Sequence, residues 1–247
     1  MALTSLNKSD EAPFQYGHLS LKAILAVRDK RLAQTIDTVL LYNGRGFTRF
    51  NTGMESTSST GYGVAKYDNE AIPEGFRSQS GKNYTHAPLF WLSVIYLNYA
   101  EACAELGNIT QDDLDKSINL LKDRAGLPHL NPIVGFSDPA NNHGVSDLIW
   151  EIRRERRCEL MFDNDNRYWD LIRWHQLDKL DTTKYPDIIL GANVANDMDG
   201  CEANKVGKYI DGSKDGSRIY DKKHYLYPIP TGQIALNPQL APNNPGW

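Results

Sequence analysis

The chain contains 247 residues, of which 40% are hydrophobic and 23% charged, and its formal net charge is −4. A chain of this length buries roughly 70–75% of its unfolded surface in one or two domains. The acidic balance and the lack of a basic block exclude a nucleic-acid-binding surface. No run of 18 apolar residues predicts a transmembrane helix.

The first third of the chain, residues 1–87, predicts a loop-rich region. Residues 19–27 form a short apolar run without clear periodicity, and residues 29–39 predict a short strand or a turn of helix. From Tyr42 to His86 the chain is punctuated by glycines and by a run of serine and threonine. More than forty such residues indicate an ordered binding loop or a disordered segment.

Residues 88–180 predict a helical region. A first helix should run from Pro88 to Leu106 and end at Gly107. Its apolar residues recur every three or four positions, as on one helix face; they are Leu89, Leu92, Ile95, Tyr96, Tyr99, Ala100, Cys103 and Leu106. A second helix should start at a cap on Asp112 or Asp113 and end at Gly126. Two such helices form the hairpin of tetratricopeptide-type repeats.

Two further helices are expected, from a cap at Ser146 to about Met161 and from Arg167 to about Asp178. Their tryptophans, Trp150, Trp169 and Trp174, have helical spacing and are expected in the core. Cys103 and Cys158 lie in apolar helical contexts and predict small core residues.

The third helix is unusually charged, with seven charged residues among the nine from Glu151 to Glu159. Charge on nearly every face means that some of these groups point inward, where they must be paired. Glutamates four residues apart would also repel one another unless arginines lay between them. We therefore expect a structural ion network, with Glu155, Arg156, Glu159, Arg167 and Asp170 as members.

An enzymatic interpretation of the same helix would make Glu155 and Glu159 a general acid and base, as in glycoside hydrolysis. Four neighbouring arginines would lower the pKa of both carboxyl groups, which opposes the role of a general acid. We expect no catalytic residues.

Residues 181–247 predict an irregular segment that wraps over the helices. Five of the twelve prolines lie in residues 228–247, which predicts an extended, non-helical tail. Tyr225, Tyr227 and Ile229 would hold this tail against the helices.

The sequence predicts no metal site and no cofactor. Asp163–Asn166 and Asp211–Gly216 resemble parts of a calcium loop, but Trp174 and Lys222 occupy the position that needs a bidentate carboxylate. The six histidines have no metal-ligand spacing, and no nucleotide-binding or hydrolase motif is present.

Seven fragments in this order resemble the SusD/RagB family of outer-membrane nutrient-binding lipoproteins, specifically its C-terminal half. They are Asp29–Leu32 (with Lys30 in place of proline), Gly61–Tyr67, Leu97–Ala102, Arg124–Pro128, Glu155–Leu160, Arg167–Trp174 and the tail from Tyr227 to Trp247. Trp91 and Val94 depart from the arginine and glutamate that the family often has early in the first helix.

The resemblance implies a mainly α fold of tetratricopeptide-like hairpins, with residues 1–247 forming a single C-terminal region. It implies a surface-exposed protein of the cell outer membrane that binds a glycan or another nutrient and passes it to a SusC-like TonB-dependent transporter, without catalysis. Because no signal peptide or lipidation cysteine lies near Met1, we expect the chain to be part of a longer precursor.

The loop from Tyr42 to Tyr84 has the composition of a sugar site, because it combines aromatic rings with polar side chains that match sugar hydroxyls. The expected ligand-binding residues are Tyr42, Arg45, Phe47, Tyr62 and Arg77. The same side chains could instead anchor the loop to the helices. The competing function is a tetratricopeptide-like protein-interaction scaffold without a ligand site of its own.

Overall fold

The structure is a computed structural model, and helices dominate its architecture. The structure describes residues 21–40, 58–67, 69, 71–77, 79–86, 88–163, 166–193, 205–206, 209–213 and 216–247. Within these ranges, none of the helices has both the length and the apolar character needed to cross a bilayer.

The described elements follow in chain order. They are α1 (Leu21–Ala26), α2 (Lys30–Thr35), β1 (Ile36–Leu40), β2 (Tyr62–Val64), α3 (Glu74–Arg77), α4 (Leu92–Glu105), α5 (Gln111–Asp115), α6 (Ile118–Ala125), α7 (Asp147–Glu159), α8 (Asn166–Arg173), β3 (Leu190–Asn193), β4 (Lys205–Val206), β5 (Tyr209–Asp211) and α9 (Thr231–Leu236). Short 3₁₀ turns occupy Leu177–Leu180, Pro186–Ile189, Lys222–Tyr225 and Pro238–Leu240. The mainly α fold class is confirmed.

Local sequence signals explain the helix ends. Ser146 caps α7 by accepting a hydrogen bond from the Ile149 amide at 3.3 Å. Thr110 and Asp113 form a capping box at the start of α5. Gly126 ends α6 with a left-handed φ of 68°, a conformation that glycine adopts without steric cost.

The second predicted helix is divided into α5 and α6. The hydroxyl of Ser117 donates to the Asp113 carbonyl at 2.5 Å, and the Ser117 backbone leaves the helical region (φ −134°, ψ −99°). Such side-chain bonds to nearby carbonyls compete with the helix. The first helix also differs from its prediction, since it begins at Leu92 and not at Pro88.

The main hydrophobic core lies where α4 packs against α6 and α7. Leu97, Leu114, Ile118 and Ile152 are fully buried there. On α4 the buried face consists of Leu97, Ala100, Glu101 and Ala104. Much of the predicted apolar face is therefore on the outside, with Leu92, Ile95 and Leu106 all more than half exposed. The helix is apolar on two sides, and Ala100 and Ala104 let α7 approach closely on one of them.

Two small antiparallel sheets flank the helices: β1 pairs with β2, and β3, β5 and β4 form the second. The prediction of an entirely non-helical tail was wrong, because α9 and the Pro238–Leu240 turn lie within it. No proline occurs from residue 231 to 237, and Pro230 precedes the first helical residue, where a fixed φ costs nothing. The Tyr225 hydroxyl accepts a hydrogen bond from the Leu177 amide at 3.0 Å and ties the tail to the helical region.

A buried cluster of charges joins α2 to α7. Nη1 of Arg31 lies 2.5 Å from Glu155 and 2.9 Å from Glu159, and Nη2 lies 2.6 Å from Asp29. Arg124 reaches Glu159 at 2.5 Å from the end of α6. The side chains of Arg31, Glu155 and Glu159 are at most 10% exposed. We call these residues the Arg31 cluster.

We expect Arg31→Ala to lower the free energy of unfolding by about 3 kcal/mol, because the buried Asp29 would lose the guanidinium that pairs with it. Glu155 and Glu159 would lose one of their two cationic partners each, and keep Lys122 at 3.5 Å and Arg124 at 2.5 Å. Urea denaturation at neutral pH measures the change. Lys116→Ala is the matched control: its ion pair with Asp112 is exposed, so the loss should be much smaller than that of Arg31→Ala. Equal effects of the two substitutions would contradict the structural role of the cluster.

Candidate functional site

A polar groove of about 870 Å³ runs between α4, α7 and α8. Its volume is within the usual range for small-molecule sites. The side chains that line it are largely charged or aromatic, so it differs from the hydrophobic core on the other side of α4. We call it the α4–α8 groove.

Helical periodicity places the lining residues of each helix on the face that borders the groove. On α4 they are Asn98, Glu101, Ala102 and Glu105, and on α8 they are Asn166, Trp169, Asp170 and Arg173. Both sets have the spacing i, i+3, i+4, i+7, which defines one face of a helix. Arg153 and Arg156 on α7 complete the floor, three residues apart.

Arg173 links two buried carboxylates in the floor of the groove. Its Nη2 lies 2.5 Å from Glu101 Oε2, and its Nε lies 2.9 Å from Asp170 Oδ1. The second oxygen of Asp170 accepts from Arg156 Nε at 2.6 Å. Both carboxylates are therefore held from two directions.

Trp174 closes the same network from α8's C-terminal side. Its indole N–H donates to Glu101 at 2.7 Å. The guanidinium carbons of Arg153 and Arg173 each lie 4.6 Å from its ring centroid. Cation–π contacts of this kind orient the arginines as well as stabilise them.

Trp169 is exposed at the groove, so the prediction that it lies in the core was wrong. Its side chain is 53% exposed, whereas Asp170 and Leu171 beside it are buried. The buried face of α8 is occupied by Asp170 and Leu171, so the next position along the helix turns outward. Arg173 and Glu105 also reach solvent, being 43% and 49% exposed. Asn98, Ala102 and His175 are further exposed residues of the lining.

Two histidines form part of the groove wall. Nε2 of His143 lies 3.3 Å from Asp178, and Nδ1 lies 2.6 Å from the Asn142 side-chain oxygen. His175, two residues after the end of α8, adopts a left-handed φ of 53°. A non-glycine residue in this conformation is strained, and such strain is common at functional sites.

The ligand-binding residues expected from sequence are not brought together by the described structure. Tyr42, Arg45 and Phe47 lie outside the described residues. Tyr62 packs against the cores at both small sheets and lines a second cavity of about 680 Å³. Arg77 does not line that cavity, and its Nε donates to the Ile72 carbonyl at 2.7 Å.

The residues of the expected ion network divide between two places. Glu155 and Glu159 lie in the Arg31 cluster, and Arg156 and Asp170 lie under the groove. Arg167 makes no ion pair with any residue in the described ranges; its guanidinium carbon lies 5.9 Å from the Trp174 ring centroid. Burial and the nearby charge of Arg157 lower the pKa of Arg167 to about 10.

Sequence reasoning missed the groove because it searched the helices for apolar faces. A usable signal was the polar residues that share one face of each helix: Asn98, Glu101 and Glu105 on α4, and Asn166, Asp170 and Arg173 on α8. In the part of the chain that the structure describes, no three histidine, cysteine or acidic side chains are grouped so that they could hold a metal ion.

The electrostatics of the groove favour binding over acid–base chemistry. Burial alone would raise the pKa of Glu101, but hydrogen bonds and charge from Arg173, Trp174 and Arg153 hold it below its ordinary value of 4.5. A glycosidase acid needs the opposite shift. Counting Glu101, Glu105 and Asp170 against Arg153, Arg156 and Arg173, the groove is formally neutral (3 − 3 = 0).

The lowered pKa values predict an acid-sensitive fold. The carboxyl groups of Glu101 and Asp29 bind protons less readily when folded than unfolded, so the unfolded state takes up more protons as the pH falls. Their stabilisation should be complete above about pH 5.5 and lost progressively below it. Urea denaturation between pH 7 and pH 3 measures this loss.

Glu101→Gln should flatten that pH profile, whereas Glu105→Gln, on the exposed edge of the groove, should retain the wild-type slope. If the Glu101→Gln profile kept the full acid-side decline, the assignment of the lowered pKa to this network would be wrong.

Comparisons with known proteins agree with this architecture. The model of the SusD family matches residues 26–247 of the chain. A SusD-like protein of Bacteroides fragilis superposes with a TM-score of 0.51 at 23% identity, over 91% of this chain and 40% of that one. At that identity the likeness shows the fold alone, and the chain spans about two fifths of its relative's length. No curated protein matches the sequence. The match over residues 26–247, together with the shared fold, shows that the chain belongs to the SusD family.

Proposed function

We propose that the chain belongs to a nutrient-capture protein of the cell outer membrane, in which the α4–α8 groove binds an oligosaccharide without cleaving it. The bound glycan would then pass to a SusC-like TonB-dependent transporter. The observation that carries this proposal is the exposed Trp169 ring beside a formally neutral, polar groove.

The chemistry of a sugar ring matches what the groove offers. A pyranose presents an apolar C–H face that packs on an aromatic plane, and Trp169 supplies such a plane. Its hydroxyls need donors and acceptors, which Asn98, Glu105 and Arg173 provide along the groove. A formally neutral lining suits an uncharged ligand better than a phosphate or a cation.

Binding without cleavage follows from how the buried carboxylates are used. Glu101 and Asp170 already accept hydrogen bonds on both oxygens from the protein itself. General acid catalysis needs a carboxyl group that holds its proton near neutral pH, and the partners of Glu101 oppose that. Membership of the SusD family, whose members are nutrient-binding accessory proteins, supports the same role.

Trp169→Ala should weaken oligosaccharide binding at least tenfold, because it removes the aromatic plane of the groove. Calorimetry with linear oligosaccharides of glucose, mannose, xylose and galactose measures this. Phe90→Ala is the matched control, since Phe90 is 91% exposed and lies before α4, outside the groove lining. Wild-type protein that bound none of these sugars, or equal losses in both variants, would contradict the proposal.

A protein-interaction scaffold is the second candidate, and one observation favours it. The outer side of α4 and the residues before it expose Leu89, Phe90, Leu92, Ile95 and Leu106, each by 59% or more. Contiguous exposed apolar surface commonly marks a docking site.

Two variants distinguish glycan capture from a scaffold function. If the chain is only a scaffold, Leu92→Glu with Ile95→Glu should abolish co-purification of the SusC-like transporter, and Trp169→Ala should change nothing. If glycan capture is correct, the sugar affinity of the double variant should equal that of the wild type.

A further inference from the structure

A second, smaller pocket of about 310 Å³ lies next to the groove, between α8 and the C-terminal tail. Most of its lining is aromatic. The lining residues are Tyr168, Arg218, Ile219, Tyr220, His224, Leu226, Tyr227 and Trp247. Neither the sequence motifs nor the proposed function assigns a role to this pocket, which we call the tail pocket.

The tail pocket has ordered walls. The indole N–H of Trp247 donates to the carbonyls of Lys223 and Leu226 at 3.1 and 3.0 Å. The His224 ring meets Trp247 edge-on, with 5.7 Å between centroids, and lies 5.3 Å from Tyr220. These contacts fix the rings before any ligand arrives, which reduces the entropic cost of binding.

Its polar groups are those that a sugar requires. The hydroxyls of Tyr168 and Tyr227 lie 3.3 Å apart, and this contact, with some burial, raises the pKa of Tyr168 to about 12. The Tyr168 phenol therefore stays protonated at neutral pH and can donate as well as accept. Arg218 is exposed, and its guanidinium has no hydrogen-bond or ion-pair partner among the described residues. Tyr227 is 65% exposed, so its ring is open to a ligand.

The tail pocket and the α4–α8 groove meet at adjacent residues of one helix. Tyr168 lines the pocket and Trp169 lines the groove. Their rings touch edge-to-face, with 5.5 Å between centroids. A ligand that leaves the groove over Trp169 would thus meet aromatic surface again at Tyr168.

We infer that the tail pocket is a second sugar subsite, so that the protein recognises an oligosaccharide of several units rather than a mono- or disaccharide. This inference rests on the proposed function of the groove. The aromatic rings, the paired phenols and Arg218 would hold sugar units beyond those that contact Trp169. An oligosaccharide long enough to span the groove and the tail pocket gains affinity from both, whereas a short one gains affinity only from the groove.

The test is the dependence of affinity on chain length, measured by calorimetry with the full chain and the same four sugar series at two, four and six units. Tyr227→Ala should weaken binding of the six-unit sugar roughly tenfold and leave the two-unit sugar unchanged. Trp169→Ala should weaken binding at every length. Tyr227→Phe keeps the ring and should lose less than Tyr227→Ala, and Leu236→Ala, on the exposed side of α9, should match the wild type.

The outcomes separate this inference from the function beneath it. If the wild type binds these sugars but Tyr227→Ala matches it at every length, the second subsite is wrong and the groove stands. If the wild type binds no sugar of any series, both proposals fail. A general loss in Tyr227→Ala at all lengths with a lower Tm would indicate damage to the fold, and Tyr227→Phe then decides. With a normal Tm, a loss of affinity confined to the longer sugars supports the second subsite, and wild-type affinity at every length overturns it.

Discussion

Arg31 brings together carboxylates from two distant parts of the chain, Asp29 beside it and Glu155 and Glu159 more than 120 residues later. A buried guanidinium with three carboxylate partners ties α2 to the middle of the helical region at one position, because any shift would leave a charge unpaired at low dielectric. Lys66 acts similarly on the turn after α7, where it contacts Asp163 at 2.7 Å. Arg156 and Arg173 do the same between α4, α7 and α8. The described hydrophobic residues form separate clusters, one at α4–α7 and two at the small sheets. The Arg31 pairs connect the helix α2 beside the sheets to α7 in the main cluster.

This constraint also determines what the groove can do. Glu101 and Asp170 line it, but each is already satisfied by arginines from inside the protein. The groups left for a ligand are the exposed ones, Trp169, Arg173 and Glu105, together with Asn98. Such a set suits the hydroxyls and ring faces of the proposed sugar ligand. Architecture and proposed function are linked, because the carboxylates that pair with arginines to hold the helices together are the groups that a hydrolase would need unpaired.

Much of the fold was predictable because its signals are local. The caps at Ser146 and Gly126 and the spacing of Leu114, Ile118 and Leu121 depend on neighbours within one or two turns. The division of the second helix depended on the hydrogen bond of the Ser117 hydroxyl. Which side of α4 is buried depended on which helix packs against it. The sequence of α4 alone could not specify its buried side, because the helix is apolar on two sides. Trp169 was mispredicted for a different reason: five residues separate it from Trp174, about 140° around a helix, so the spacing did not place both rings on one face. The candidate site was the least predictable part, since the groove arises only when polar faces of three helices meet.

The arginine–carboxylate pairs serve the architecture, and a double-mutant cycle on Arg156 and Asp170 tests this role most directly. The free energy of unfolding would be measured by urea denaturation for Arg156→Ala, Asp170→Ala and the double variant. We predict that each single variant loses about 3 kcal/mol or more, and that the double variant loses much less than their sum, with a coupling of at least about 1.5 kcal/mol. Single variants that unfold like the wild type, with additive effects, would show that these charges do not hold the helices together and would contradict the account.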